Sequence, residues 1–165
     1  GFEIMLHMPM EKAKFPGRIS TDMTDKQIRE LTENALGQIP GAVGVNNHAG
    51  SKFTADEKAM ARFLESIKEK SLFFVDSRTT AETKAWEVAN RMGIRAASRD
   101  VFLDNEEAAG YIRAQFDHLV EVANQQGEAV AICHFRANTA KVLSEVLPEL
   151  QGNGIELVHV SELVQ

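Results

Sequence analysis

Short apolar runs alternate with longer amphipathic stretches along the whole chain, and most of the runs are closed by polar residues capable of chemistry. Five such runs stand out: 3–6 before His7, 43–45 before Asn46-Asn47-His48, 72–75 before Asp76-Ser77-Arg78, 101–103 before Asp104-Asn105, and 130–133 before His134. Each is short enough to be a buried strand. Between them the apolar spacing changes to the helical period. It predicts a helix over about 24–36 with Ile28, Leu31 and Ala35 on one face. A capping-box pattern, Thr54-Ala55-Asp56-Glu57, precedes a helix with Met60, Phe63, Leu64 and Ile67 turned inward. A second such pattern, Thr79-Thr80-Ala81-Glu82, opens a helix that ends at Gly93. Residues 94–97 form a further strand candidate.

Asn105 is expected to cap the longest helix, which carries Ile112, Phe116, Leu119, Val120 and Ala123 as far as Gly127. A strand over 129–133, a helix over about 138–147 and a last strand over 155–158 complete the series. Strands that alternate with helices imply an α/β fold of parallel strands covered by helices, as an open sheet or a barrel. The carboxyl ends of such strands share one rim, so the polar residues that close them are expected to meet there.

Composition narrows the picture. A chain of 165 residues is enough for one domain with a real core. Its formal net charge of −6 argues against a nucleic-acid or anionic-membrane partner. No apolar run approaches the ~18 residues of a membrane span. Cys133 is the single cysteine, so no intrachain disulfide can form. No strand is followed by a glycine-rich phosphate loop, which weakens a nucleotide reading. The chain begins at Gly1 and enters a strand at once, so it is expected to be the remainder of a longer protein.

His7, followed by Glu11 beyond a Pro-braced turn, has the donor chemistry of a divalent-metal site. His48 is the second metal-ligand candidate. Its neighbours Asn46 and Asn47 are costly to bury without partners and are candidates for substrate binding, although Asn47 or Gly50 could also hold a positive φ. Asp76 could orient a catalytic group. Arg78 could hold a substrate anion or serve as half of a structural ion pair, and Arg99 invites the same two readings. His134 suits general acid–base work because its ordinary pKa lies near neutrality. Asp104 leans structural. Cys133 is expected to face the other way and pack, while His118, His159 and Trp86 are read as structural, solvated or core.

Taken together, these motifs resemble those of the divergent polysaccharide deacetylase family. The resemblance rests on Gly1-Phe2-Glu3-Ile4-Met5-Leu6-His7-Met8-Pro9-Met10-Glu11, on Gly44-Val45-Asn46-Asn47-His48-Ala49-Gly50-Ser51, and on Phe73-Phe74-Val75-Asp76-Ser77-Arg78-Thr79-Thr80. Arg99-Asp100-Val101-Phe102-Leu103-Asp104-Asn105 and Ile132-Cys133-His134-Phe135 extend it nearly to the C-terminus. It implies a distorted (β/α) barrel that removes acetyl groups from sugars with a divalent metal, expected to be zinc. It implies export to the periplasm or cell exterior.

By the same resemblance His7, Glu11 and His48 fall at the metal, His134 is the general acid and Asp76 supports catalysis. The family's early Asp-Asp motif is absent and would lie before Gly1. Residues 1–165 are therefore expected to form one domain that lacks its first strand–helix unit, with an open sheet edge available for self-association. Two readings stand side by side: a metal-dependent deacetylase acting on an acetylated envelope glycan, and a non-catalytic module that keeps the cleft for glycan binding.

Overall fold

A computed structural model describes residues 1–150 and 152–165. They form two compact units, Gly1–Ser98 with Val164–Gln165, and Arg99–Leu163. The architecture is mixed α/β, with parallel strands and six α-helices among the described residues.

The first unit runs β1 (Met5–Pro9), α1 (Asp25–Gly37), β2 (Gly44–His48), α2 (Ser51–Ala55), α3 (Glu57–Lys68), β3 (Phe73–Asp76), α4 (Ala85–Arg91) and β4 (Ala96–Ser98). Its sheet is parallel throughout, in the order β1-β2-β3-β4. Parallel neighbours need long crossovers, and the helical segments provide them. In β1 the period of two is plain: Leu6 and Met8 are buried, whereas His7 between them is exposed. Leu6, Met8, Val45 and Phe74 pack with Ile28 of α1 and with the predicted stripe of α3, Met60, Phe63, Leu64 and Ile67. Phe63 sits at the middle, edge-on to Phe53 and Phe74 at centroid distances of 6.3 and 6.1 Å.

Local chemistry sets the helix starts, not always as the sequence patterns suggest. Thr24 and Gln27 form a reciprocal capping box at α1. At 54–57 the expected box does not form, because Thr54 lies inside the short α2. Asp56, in extended conformation just before α3, accepts from the Ala59 amide at 3.0 Å and becomes the cap. Thr80 and Glu82 bond to each other, but α4 starts only at Ala85, after the Lys84 amide has reached the Thr54 carbonyl. Gly93 closes α4 at φ 70°. Trp86, expected in the core, is instead exposed at 43%. The β4 edge is partly covered, since Ala96 and Gln165 exchange backbone hydrogen bonds of 2.9 and 3.1 Å.

The second unit pairs β5 (Val101–Phe102) with β6 (Ala131–Ile132) in parallel and adds α5 (Ala109–Gln126) and α6 (Ala137–Leu150). Val101, Leu103, Ile112, Phe116, Val142, Val146 and Leu150 form its core. Extended Ala108 precedes α5, so Asn105 lies in the turn before the helix and is not its cap. Residues 155–158 form no strand and lead to a 3₁₀ turn at Val160–Glu162. Strand propensity acts through packing against neighbouring strands, and among the described residues no strand pairs with this segment, whose Leu157 is largely exposed. No helix among the described residues is long and apolar enough to cross a membrane.

Phe63→Ala should lower the unfolding free energy by about 3–5 kcal/mol, as truncation of a fully buried aromatic does. Urea denaturation measures it. A loss below about 1 kcal/mol would contradict the central place given to this ring.

Candidate functional site

The register of β1 against β2 sets His7 beside Asn46 and Pro9 beside His48. Side chains two apart on a strand share a face, so Asn46 and His48 both reach His7. The contacts are close: His7 Nδ1 lies 3.0 Å from Asn46 Oδ1, and His7 Nε2 lies 2.9 Å from His48 Nδ1. Asn46 Nδ2 in turn donates to Ser77 Oγ at 3.0 Å, at the end of β3. That donation turns the Asn46 carbonyl toward His7. The carbonyl can only accept, so the proton of a neutral His7 sits on Nδ1 and the lone pair on Nε2 faces His48. Phe15 stands edge-on to His48 with centroids 5.9 Å apart.

Asn47 alternates to the opposite face and is fully buried. Its Oδ1 accepts from the Ser77 amide at 2.8 Å and its Nδ2 donates to the Ala49 carbonyl at 3.0 Å. It ties two loops together and presents no surface to a substrate. Asp76 is also fully buried; its two oxygens accept from the Arg78 amide at 2.8 Å and the Thr83 hydroxyl at 2.9 Å. It therefore shapes the turn that places Ser77 and the exposed Arg78.

Lys12, Ala49 and Arg78 hold positive φ values of 72°, 56° and 46°, one in each loop that leaves β1, β2 and β3. Strained backbone of this kind concentrates at functional sites. Gly50 follows at φ 80°, and a Cβ there would lie 2.6 Å from the Cβ of Met10. Only glycine fits.

The Glu11 carboxylate oxygens are buried and make no hydrogen bond. Burial pushes its pKa above the usual carboxylate range, against the opposing pull of the Glu11 and Phe53 amides, which face it outside hydrogen-bond geometry, and of Lys52 and Lys12. Among the described residues no three His, Cys, Asp or Glu side chains are arranged to hold a metal ion, so Glu11 does not complete a set with the two histidines. The imidazole pair itself fits as two ligands. A tetrahedral zinc with nitrogens at ~2.0–2.1 Å needs them ~3.3 Å apart, which is close to the 2.9 Å observed.

In the second unit His134 is paired with Asp104. The fully buried carboxylate accepts from the His134 amide at 2.9 and 3.0 Å, from His134 Nδ1 at 3.0 Å and from the Thr139 hydroxyl at 2.8 Å. Burial alone would raise the Asp104 pKa. The bonds from Thr139 and His134 outweigh it and hold the group below its ordinary value. Phe102 lies against the His134 ring at 5.3 Å, and the Arg99 guanidinium covers Phe102 at 5.4 Å.

Asp104, expected from the sequence to be structural, is the buried partner of both the His134 amide and its ring. A signal was present: Phe102 pairs with Ile132, so Asp104 and His134 each stand two residues past the same strand pair. Cys133 is exposed and not packed, because β6 ends at Ile132 and the alternation of faces ends with it. A concavity of about 570 Å³ in this unit lies between α5 and residues 154–163, and none of the predicted site residues lines it.

The sequence model of the divergent polysaccharide deacetylases matches residues 1–164. The chain belongs to that family. An uncharacterized protein of Haemophilus influenzae (strain ATCC 51907 / DSM 11121 / KW20 / Rd) is 34% identical over 167 residues, covering 99% of this chain and 59% of the relative. The uncharacterized protein YibQ of Escherichia coli (strain K12) is 33% identical over 168 residues, covering 99% of this chain and 52% of the relative. This divergent polysaccharide deacetylase chain thus spans little more than half the length of these curated relatives. A crystal structure of the uncharacterized protein ATU2773 from Agrobacterium tumefaciens C58 superposes with a TM-score of 0.95 at 26% identity, covering 98% of this chain and 68% of that one.

Two buried carboxylates predict opposite pH behaviour. Asp104, with its pKa lowered by folding, contributes stability that is present above about pH 4 and is lost as pH falls through the folded value. Asp104→Asn should therefore be clearly less stable than wild type at pH 7, with the gap shrinking by pH 3. Glu11, with its pKa raised, favours folding at low pH and opposes it as pH rises past the unfolded value near 4.5. Glu11→Gln should gain stability over wild type at pH 7 and little at pH 4. Urea denaturation at these pH values checks both, and gaps that do not change with pH would contradict both assignments.

Proposed function

We propose that this chain is the catalytic domain of a metal-dependent deacetylase acting on an acetylated polysaccharide or cell-envelope glycan, built on a distorted (β/α) barrel. The observation that carries the reading is the pair of converging imidazoles of His7 and His48. In this reading they hold a divalent ion, expected to be zinc, which supplies Lewis acidity and lowers the pKa of bound water. Asn46 keeps His7 in the ligating tautomer, the usual task of a hydrogen-bond partner behind a metal ligand. The Asp104 carboxylate holds Nδ1 of His134, so a proton given to a leaving amine departs from Nε2. Asp76 acts through the turn that it shapes. Arg78 and Arg99 bind polar groups of the glycan. Periplasmic or extracellular location is part of the proposal and rests on the family alone.

The second reading keeps the same rim as a glycan-binding module without catalysis. Acetate release from acetylated glycans by the full-length, zinc-loaded protein separates the two. The deacetylase reading expects His134→Ala to lower kcat by ~10²–10⁴-fold with metal content intact. It expects His48→Ala to lose metal and activity together. Wild-type protein that binds glycan but releases no acetate would overturn it.

A further inference from the structure

The loop from β1 to Ile19 is tied down at both feet, yet it carries an aromatic ring out into solvent. Met10 N donates to the His48 carbonyl at 3.0 Å, Ala13 N to the Met10 carbonyl at 2.9 Å and Ile19 N to the Pro9 carbonyl at 3.0 Å. Ala13 and Ile19 are buried at 6% and 0% exposure, which anchors the loop in the core. Between them residues 14–18 are exposed, and Gly17 turns the chain back at φ 82°. Phe15 stands on this tip with 56% of its surface in water, and its ring lies against His48. Burial would have stabilised such a ring, as it does the other apolar residues of the loop. Its ring contact is instead with His48, whose own partner is His7.

We infer that Phe15 is the stacking platform of a sugar-binding site at His7 and His48, receiving the apolar C–H face of a pyranose ring. The assignment rests on the glycan substrate proposed above. A pyranose has two kinds of surface: C–H bonds on its faces and hydroxyls around its edge. An aromatic face matches the first and offers nothing to the second. The negative π-face of the ring attracts the weakly positive C–H hydrogens. Beside it, His48 Nε2 takes no part in the imidazole pair and is suited to the hydroxyls and to an acetyl carbonyl. Phe15 is thus a binding residue that sets which face of the sugar meets the imidazoles, and it takes no part in proton transfer.

The test uses full-length protein with two probes, a hexamer of N-acetylglucosamine and a hexamer of acetylated xylose. Binding is followed by calorimetry and acetate release by a coupled assay. Phe15→Ala should weaken binding of at least one hexamer by roughly tenfold, and Phe15→Trp should retain it. Phe15 is exposed, so both variants are expected to fold, which circular dichroism checks. Equal affinity in wild type and Phe15→Ala overturns the assignment, as does wild-type protein that binds neither hexamer. Phe15-dependent binding without acetate release supports the platform while it defeats the deacetylase reading. Acetate release with a KM that is the same in Phe15→Ala defeats the platform and leaves the deacetylase reading standing.

Discussion

The candidate site hangs on one constraint, the register between β1 and β2. Parallel pairing that aligns His7 with Asn46 also aligns Pro9 with His48. A slip of one residue would turn His48 and Asn46 to the buried face and Asn47 to the imidazole face. The pattern of buried residues guards against the slip. Leu6 and Met8 on β1, and Val45 and Asn47 on β2, occupy the inward positions, and exchanging them with His7, Asn46 and His48 would expose apolar surface and bury the imidazoles. The hydrophobic core and the site are therefore held by the same alternation.

Buried polar groups then fix the rim. Asn47 and Asp76 are fully buried, and each has hydrogen-bond partners in the loops beyond β2 and β3. Leaving such a group unpaired costs roughly 1–3 kcal/mol, so these loops have little freedom to choose another arrangement. The positive φ values of Ala49 and Arg78 fall within them. Strain there is held in place by the network around it. The result is a His7–His48 contact whose tautomers follow from the chain of donors that begins at the Asn46 amide.

Much of the first unit was legible in the sequence because its signals are periodic. The inward stripe Met60, Phe63, Leu64 and Ile67 is buried as the helical spacing predicts, and His7 and His48 meet although 41 residues separate them. Misreadings arose where local patterns compete. Thr54 and Asp56 both offer a cap, and only the backbone path decides for Asp56. Asn47 and Asn46 are adjacent and chemically identical, yet strand alternation gives one to the core and the other to the site. Residues 155–158 have strand composition, but a strand also needs a neighbour, and composition does not say whether one exists. The contact of Asp104 with His134 spans 30 residues, a separation that local spacing does not reveal. Glu11 sits at a spacing that suits metal binding, while its carboxylate is buried elsewhere.

The unusual feature that remains is chemical. His7 Nε2 and His48 Nδ1 face each other at 2.9 Å, with the Asn46 carbonyl against the other nitrogen of His7. The proposed divalent cation would take the place of the proton between them. The most direct measurement is a zinc titration followed through the nitrogen-15 resonances of the histidine rings. Apo His7 should be protonated at Nδ1, and zinc should shift His7 Nε2 and His48 Nδ1 together at one equivalent. Ring nitrogens of both histidines that stay unchanged through the titration would contradict this expectation.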